Sequence, residues 1–201
     1  MAKITTGRRE TSQLTGIAIL ASLVIVLTVF CTFIKFGPFS ITLALAPIII
    51  GGAVLGVLPG TMLGFIFSAV VLITGLFAWD GGTIMYLMSL RPGATIIICL
   101  LKGTLAGFCA AGVYHLISRK NRTAAVVCAA IACPLVNTLT FVIGMLLCFY
   151  DVLSEWSGGQ NMVLYIITGI AGINFLIELV VNLALSTGIT RIVDTIGKRS
   201  V

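Results

Sequence analysis

The sequence predicts an all-α integral membrane protein, with six transmembrane helices in one compact bundle and both termini in the cytoplasm. Three observations carry this expectation. Of 201 residues, 59% are hydrophobic and 9% charged, whereas a soluble domain carries roughly 25% charged residues. The mean hydropathy is +1.20, and the apolar runs are long and do not alternate strictly, which favours spanning helices over a barrel. The basic residues gather in three groups: Lys3, Arg8 and Arg9; Arg119, Lys120 and Arg122; Arg191, Lys198 and Arg199. All three fall on one side if the chain crosses six times, which is the positive-inside pattern. The net charge of +6 therefore reflects orientation in a lipid bilayer rather than nucleic-acid binding.

The first span is expected over 11–34, with Thr11 and Ser12 as candidate caps. No small-residue cleavage site follows its apolar stretch, so it is expected to stay as a mature helix. The second, 41–55, is short for a hydrocarbon core that takes about 20 residues, and Pro47 with Gly51-Gly52 predicts a kink or tilt. The third covers 59–77, with Pro59 suited to a first turn. The fourth covers 93–118, opened by Arg91-Pro92; the fifth covers 123–149, with Pro134 inside it; the sixth covers 162–192. The links GVLPG and SRKNR are short and expected inside. KFGPFS, AWDGGTIMYLMSLRPG and YDVLSEWSGGQN are longer and expected outside, where they either cover a cavity mouth or simply join helices. No internal repeat, low-complexity segment or linker is present, so 1–201 is expected to be one membrane domain without a soluble catalytic part.

Two charges stand inside apolar runs: Lys102 in TIIICLLKGTLAGFCAAGVYHLI and Glu178 in LYIITGIAGINFLIELVVNLALSTGI. A charge at hydrocarbon depth costs at least about 2.5–3.5 kcal/mol on insertion scales, so it faces a cavity or a partner. Counting about 1.5 Å per residue places Lys102 roughly 13 Å, Asn137 about 16 Å and Asn174 about 18 Å below the outer face. Glu178 lies one turn deeper than Asn174, and Asn182 one turn deeper again. One reading is a pocket open to the outside, in which Lys102 pairs with an anionic group while Asn137, Thr138 and Asn174 hydrogen-bond amides or hydroxyls. Glu178 is a deeper candidate for the same pocket, and a structural or partner-facing role fits its depth better. The rival readings are a Lys102–Glu178 packing pair with asparagines as interhelical glue, in a scaffold without a solute, and an ion or proton relay through the same pair.

Trp79 and Tyr86 are candidate wall residues near the outer loops, although interface belts explain such aromatics without a ligand. Arg91 either guides an anion to the mouth or anchors its helix at the headgroups. Ala18 and Ser22 form a small face on the first span that lets another helix approach. His115 is the single histidine, and the six cysteines lack ligand spacing, so no metal site, cofactor or disulfide is expected. GxSxG, HExxH and Walker A motifs are absent from the sequence, so no enzyme is expected and ATP hydrolysis falls to partners.

The stretch FGPFSITLALAPIIIGGAVLGVLPGTMLGFIFSAVV resembles the second and third helices of the substrate-binding S components of energy-coupling factor (ECF) vitamin transporters. RPGATIIICLLKGTLAGFCAAGVYHLI resembles their fourth helix, CPLVNTLTFVIGMLLCF their fifth and GINFLIELVVNLALSTGITRIV their sixth. The resemblance implies capture of a water-soluble vitamin in a cavity near the outer face of a bacterial cell membrane, lined by the fourth to sixth helices. It also implies association with a membrane coupling protein and two cytoplasmic ATPases. The family's A-x-x-x-A contact motif maps to Ala18 and Ser22, with Ser in the second place. Lys102 favours a carboxylate-bearing vitamin, with pantothenate first, folate wanting more aromatic stacking and riboflavin the neutral runner-up. Thiamine and other cations want a carboxylate, which at depth only Glu178 supplies.

Overall fold

Runs of Leu, Ile, Val and Ala without water-exposed polar backbone leave the helix as the one local solution that satisfies every peptide group internally. In order the elements are α1 (Ala2–Thr32), an antiparallel pair β1 (Lys35–Phe36) and β2 (Phe39–Ser40), α2 (Leu45–Leu55), α3 (Val57–Leu76) and α4 (Thr83–Leu90). They continue with α5 (Pro92–Ile117), α6 (Arg122–Cys148), α7 (Tyr150–Ser157), α8 (Met162–Tyr165), a π-helical stretch (Ile166–Gly172) and α9 (Ile173–Arg199). The structure, a computed structural model, describes the backbone of residues 2–33, 35–36, 39–40 and 42–199, and the side chains of 11, 13–33, 42–168, 172, 175–193 and 195. The strand pair holds Lys35 opposite Ser40 and Phe36 opposite Phe39.

Among the described residues, five helices are long and apolar enough to cross a membrane: Gln13–Thr32, Val57–Leu76, Pro92–Ile117, Arg122–Cys148 and Phe175–Val193. The sixth expected span, α2, has only 11 residues. It forms the centre of the bundle, with Leu45 through Ile49 and Gly51 through Ala53 buried. Around it pack Val24 of α1, Leu63 and Phe67 of α3, Ala106 and Ala110 of α5, Ala125 through Cys133 of α6, and Ile189 of α9. The outward faces of the surrounding helices are apolar, as at Leu23, Phe65, Leu105, Leu139 and Val180.

Several local expectations change. Thr11 and Ser12 do not cap α1, which runs through them; the Thr15 hydroxyl donates to the Thr11 carbonyl at 2.9 Å, inside the helix. Pro47 does not break α2, because it occupies the first turn, where the backbone N–H has no helical acceptor to lose. Gly52 is there for closeness, since a Cβ would lie 2.7 Å from that of Ala111. The two long links after α3 and α6 fold into α4 and α7 rather than remaining open loops. Asp80 caps α4 by accepting from the Gly82 and Ile84 amides, each at 2.9 Å. α4 and α7 cover one end of the bundle through Leu87, Ile98, Met145, Phe149, Val152 and Leu153. That end, which also holds the strand pair, is called the loop end below.

The tightest crossing joins α3 and α5. A Cβ on Gly64 would overlap the Gly103 carbonyl, and one on Gly107 would overlap that of Gly60. The Gly103 amide donates to Ser68 Oγ at 3.0 Å across the same contact. Small residues four apart on both helices permit this approach of backbones.

α2 is about 16 Å long at the usual helical rise, less than half the length of α5. Measured from the Gly56 turn into α3, it ends deep inside the bundle, and the chain before it is non-helical there. Ala44 is 0% exposed, and Thr42 and Leu43 are half-buried. Non-helical backbone at membrane depth persists only where protein or a cavity surrounds it. The last span also departs from one continuous α-helix. Its π-helical stretch takes more residues per turn, so the residues after Gly172 face another direction than an unbroken α-helix gives them.

Candidate functional site

One set of interior polar groups lies on α5, α6, α9 and the segment entering α2. Lys102, half-buried on α5, lies about 15 Å below Pro92, counted along the helix. Its Nζ stands 5.3 Å from the centre of the Phe141 ring on α6, a cation–π contact that offsets part of the cost of leaving water. Asn137 is one turn deeper than Phe141 on α6, about 16 Å below Cys148, and is 8% exposed. Cys133, one turn deeper again at about 22 Å, is within electrostatic reach of Glu178 of α9.

Glu178 is 1% exposed. Its carboxyl group accepts hydrogen bonds from the hydroxyl and the backbone amide of Thr42, at the entry to α2. Lys102 lies within its electrostatic reach, yet the two form no contact ion pair; among the described residues the ion pair is Arg91–Asp151, at the loop end. The packing-pair reading of Lys102 and Glu178 therefore does not hold as a direct contact. Asn182, 1% exposed and one turn below Glu178, donates from Nδ2 to the Glu178 carbonyl at 2.8 Å.

Three buried oxygens lack a hydrogen-bond partner among the described residues: Asn137 Oδ1, Glu178 Oε2 and Asn182 Oδ1. Each such atom costs about 1–3 kcal/mol in a native interior, so each calls for an explanation. The arrangement offers one cation, one aromatic face and a set of acceptors.

The other candidates distribute as follows. Thr138 is half-buried and turned about 100° from Asn137 around α6. The side chain of Asn174 lies outside the described residues. Trp79 packs at the loop end against Phe33 and Phe77, with ring centres 5.7 and 6.0 Å away. Tyr86 stacks on Trp156 at 6.2 Å. Arg91 donates to the Cys148 carbonyl at 2.7 Å and faces Asp151 at 3.9 Å. Arg91 and Tyr86 line a cleft of about 270 Å³ with Cys148, Asp151 and Glu155. These three residues thus sit at the loop end and do not join the Lys102 cluster. Ala18 and Ser22 are exposed on α1, where the Ser22 hydroxyl donates to the Ala18 carbonyl at 2.9 Å. Sequence reasoning missed Phe141 and Thr42. Phe141 was detectable as the residue one turn from Asn137, whereas Thr42 carried no signal.

A comparison with curated proteins finds no match to the chain. The sequence profile of the family described as "ECF transporter, substrate-specific component" matches residues 12–190, which is most of the chain and includes every helix that builds the polar cluster. With apolar helices able to cross a membrane several times, the chain belongs to the substrate-specific components of ECF transporters: multi-pass membrane subunits that bind a small-molecule substrate, work with an ECF module and are not themselves enzymes.

Proposed function

We propose that this subunit captures a water-soluble, carboxylate-bearing vitamin from outside a bacterial cell, with pantothenate as the leading candidate. The chain acts as one membrane domain crossing six times, with the Arg119, Lys120 and Arg122 turn and both termini in the cytoplasm and the loop end outside. A membrane coupling protein and two cytoplasmic ATPases supply the energy for delivery, and the coupling protein docks on the small face of Ala18 and Ser22. Lys102 binds the carboxylate, while Asn137, Thr138 and Asn174 hydrogen-bond the rest of the solute. Arg91, Trp79 and Tyr86 form the outer mouth rather than the floor, and Glu178 closes the deep end.

The observation that carries this reading is the state of Lys102. It is a half-buried cation over the Phe141 ring, with no ion pair or hydrogen bond among the described residues. A cation in that position gains most from an anion arriving with the solute. The test is a thermal-shift panel of vitamins on the purified protein, followed by titration calorimetry on those that stabilise it. Carboxylate-bearing vitamins are expected to raise the melting temperature in wild type and not in Lys102→Met. Stabilisation by riboflavin alone, or by no vitamin, removes the anion reading.

A further inference from the structure

We infer that the solute presents hydrogen-bond donors besides its carboxylate, and that Asn137 and Glu178 select it by those donors. This rests on the reading of Lys102 as the anion site and adds what the rest of the solute must carry. Asn137 Oδ1 and Glu178 Oε2 are both unpartnered among the described residues, in side chains 8% and 1% exposed. Both are acceptors. Glu178 already uses the donors that the protein brings to it, the hydroxyl and amide of Thr42. Asn182, the next polar side chain down α9, donates from Nδ2 to the Glu178 carbonyl and adds a third unpartnered acceptor, its Oδ1.

The region around Asn137 and Glu178 therefore leaves acceptors for the solute to satisfy. It rewards N–H and O–H groups, since a site built to hydrogen-bond such groups discriminates strongly against an analogue lacking them.

Matched probes test this. Biotin and lipoate share a five-carbon acid tail and a ring head, but only biotin carries ureido N–H donors. Pantothenate and N-pentanoyl-β-alanine share an acyl-β-alanine end, but only pantothenate carries two hydroxyls. Titration calorimetry of all four on wild type, Glu178→Gln and Asn137→Leu is expected to show at least about 100-fold tighter binding of the donor-bearing member of the pair that binds. Both variants should shrink that ratio at least about tenfold. Equal affinity for both members of a pair, or an unchanged ratio in both variants, overturns the inference while leaving Lys102 as the anion site. Loss of every carboxylate probe from wild type, with the protein still folded by circular dichroism, overturns the anion reading and the inference together.

Discussion

Lys102 and Glu178 face one buried region from α5 and α9 without touching. Two opposite charges in a low-dielectric interior attract strongly, and a contact pair is the expected outcome when nothing else competes. Here each has a separate arrangement. Lys102 lies on the Phe141 ring, and Glu178 is held by Thr42 at the entry to α2. The gap between them leaves each charge available to the proposed site.

Removing the cation separates binding from folding. Lys102→Met keeps the length and apolar stem of the side chain while deleting the charge. A hydrogen bond to a charged group is worth about 1.5–3 kcal/mol, so affinity for a carboxylate-bearing solute should fall on the order of 10- to 100-fold. Calorimetry reads the loss, and an unchanged elution profile shows that the fold is intact.

Thr42→Val is nearly isosteric and deletes one donor to Glu178. The orphaned carboxyl oxygen should cost about 1–3 kcal/mol, seen as a lower melting temperature, with Thr42→Ser restoring most of it. A Thr42→Val protein as stable as wild type would show that Glu178 does not depend on this segment.

The α3–α5 crossing has no room for a side chain. Gly64→Val should abolish the monodisperse folded species, because the branched side chain meets the Gly103 backbone, which cannot move aside as a side-chain tip can. Gly112→Ala is the control, since nothing lies within 4 Å of its Cβ position. Size-exclusion chromatography should find it unchanged.

At the loop end, Asp151→Asn removes the partner of Arg91. The pair is 3.9 Å long, with side chains 57% and 90% exposed, so the loss should stay below about 1 kcal/mol. Solute affinity should not change, in contrast to Lys102→Met.

Lengthening the small face of α1 tests the docking of the coupling protein. Ala18→Leu with Ser22→Leu places bulk on an exposed face that touches neither α2 nor the polar cluster. Co-purification with the coupling protein should be lost while vitamin binding persists, and retained assembly would move the docking site elsewhere.

The positions of the helices were legible because apolar runs in lipid leave no alternative to a helix. Lys102 and Glu178 were legible because a single charge in such a run needs a reason. The glycine pairs Gly60/Gly64 and Gly103/Gly107 were present as spacings of four, although nothing in the sequence says which pair meets which. Thr42 was not legible, since its role depends on α2 ending inside the bundle. The helical nature of α4 and α7 was hidden by the glycines and polar residues around them, which read as loops.

By itself the sequence determined the membrane class, the helical content and the family, because these follow from composition and from order along the chain. Only the tertiary structure decided that Lys102 lies on Phe141 instead of pairing with Glu178, that Glu178 takes hydrogen bonds from Thr42, and that Arg91, Trp79 and Tyr86 stay at the loop end. The physical reason is that facing depends on rotation. The direction in which a helix turns a side chain is set by its packing against neighbours and, in the last span, by the π-helical stretch ahead of Glu178, and neither can be counted from residue spacing.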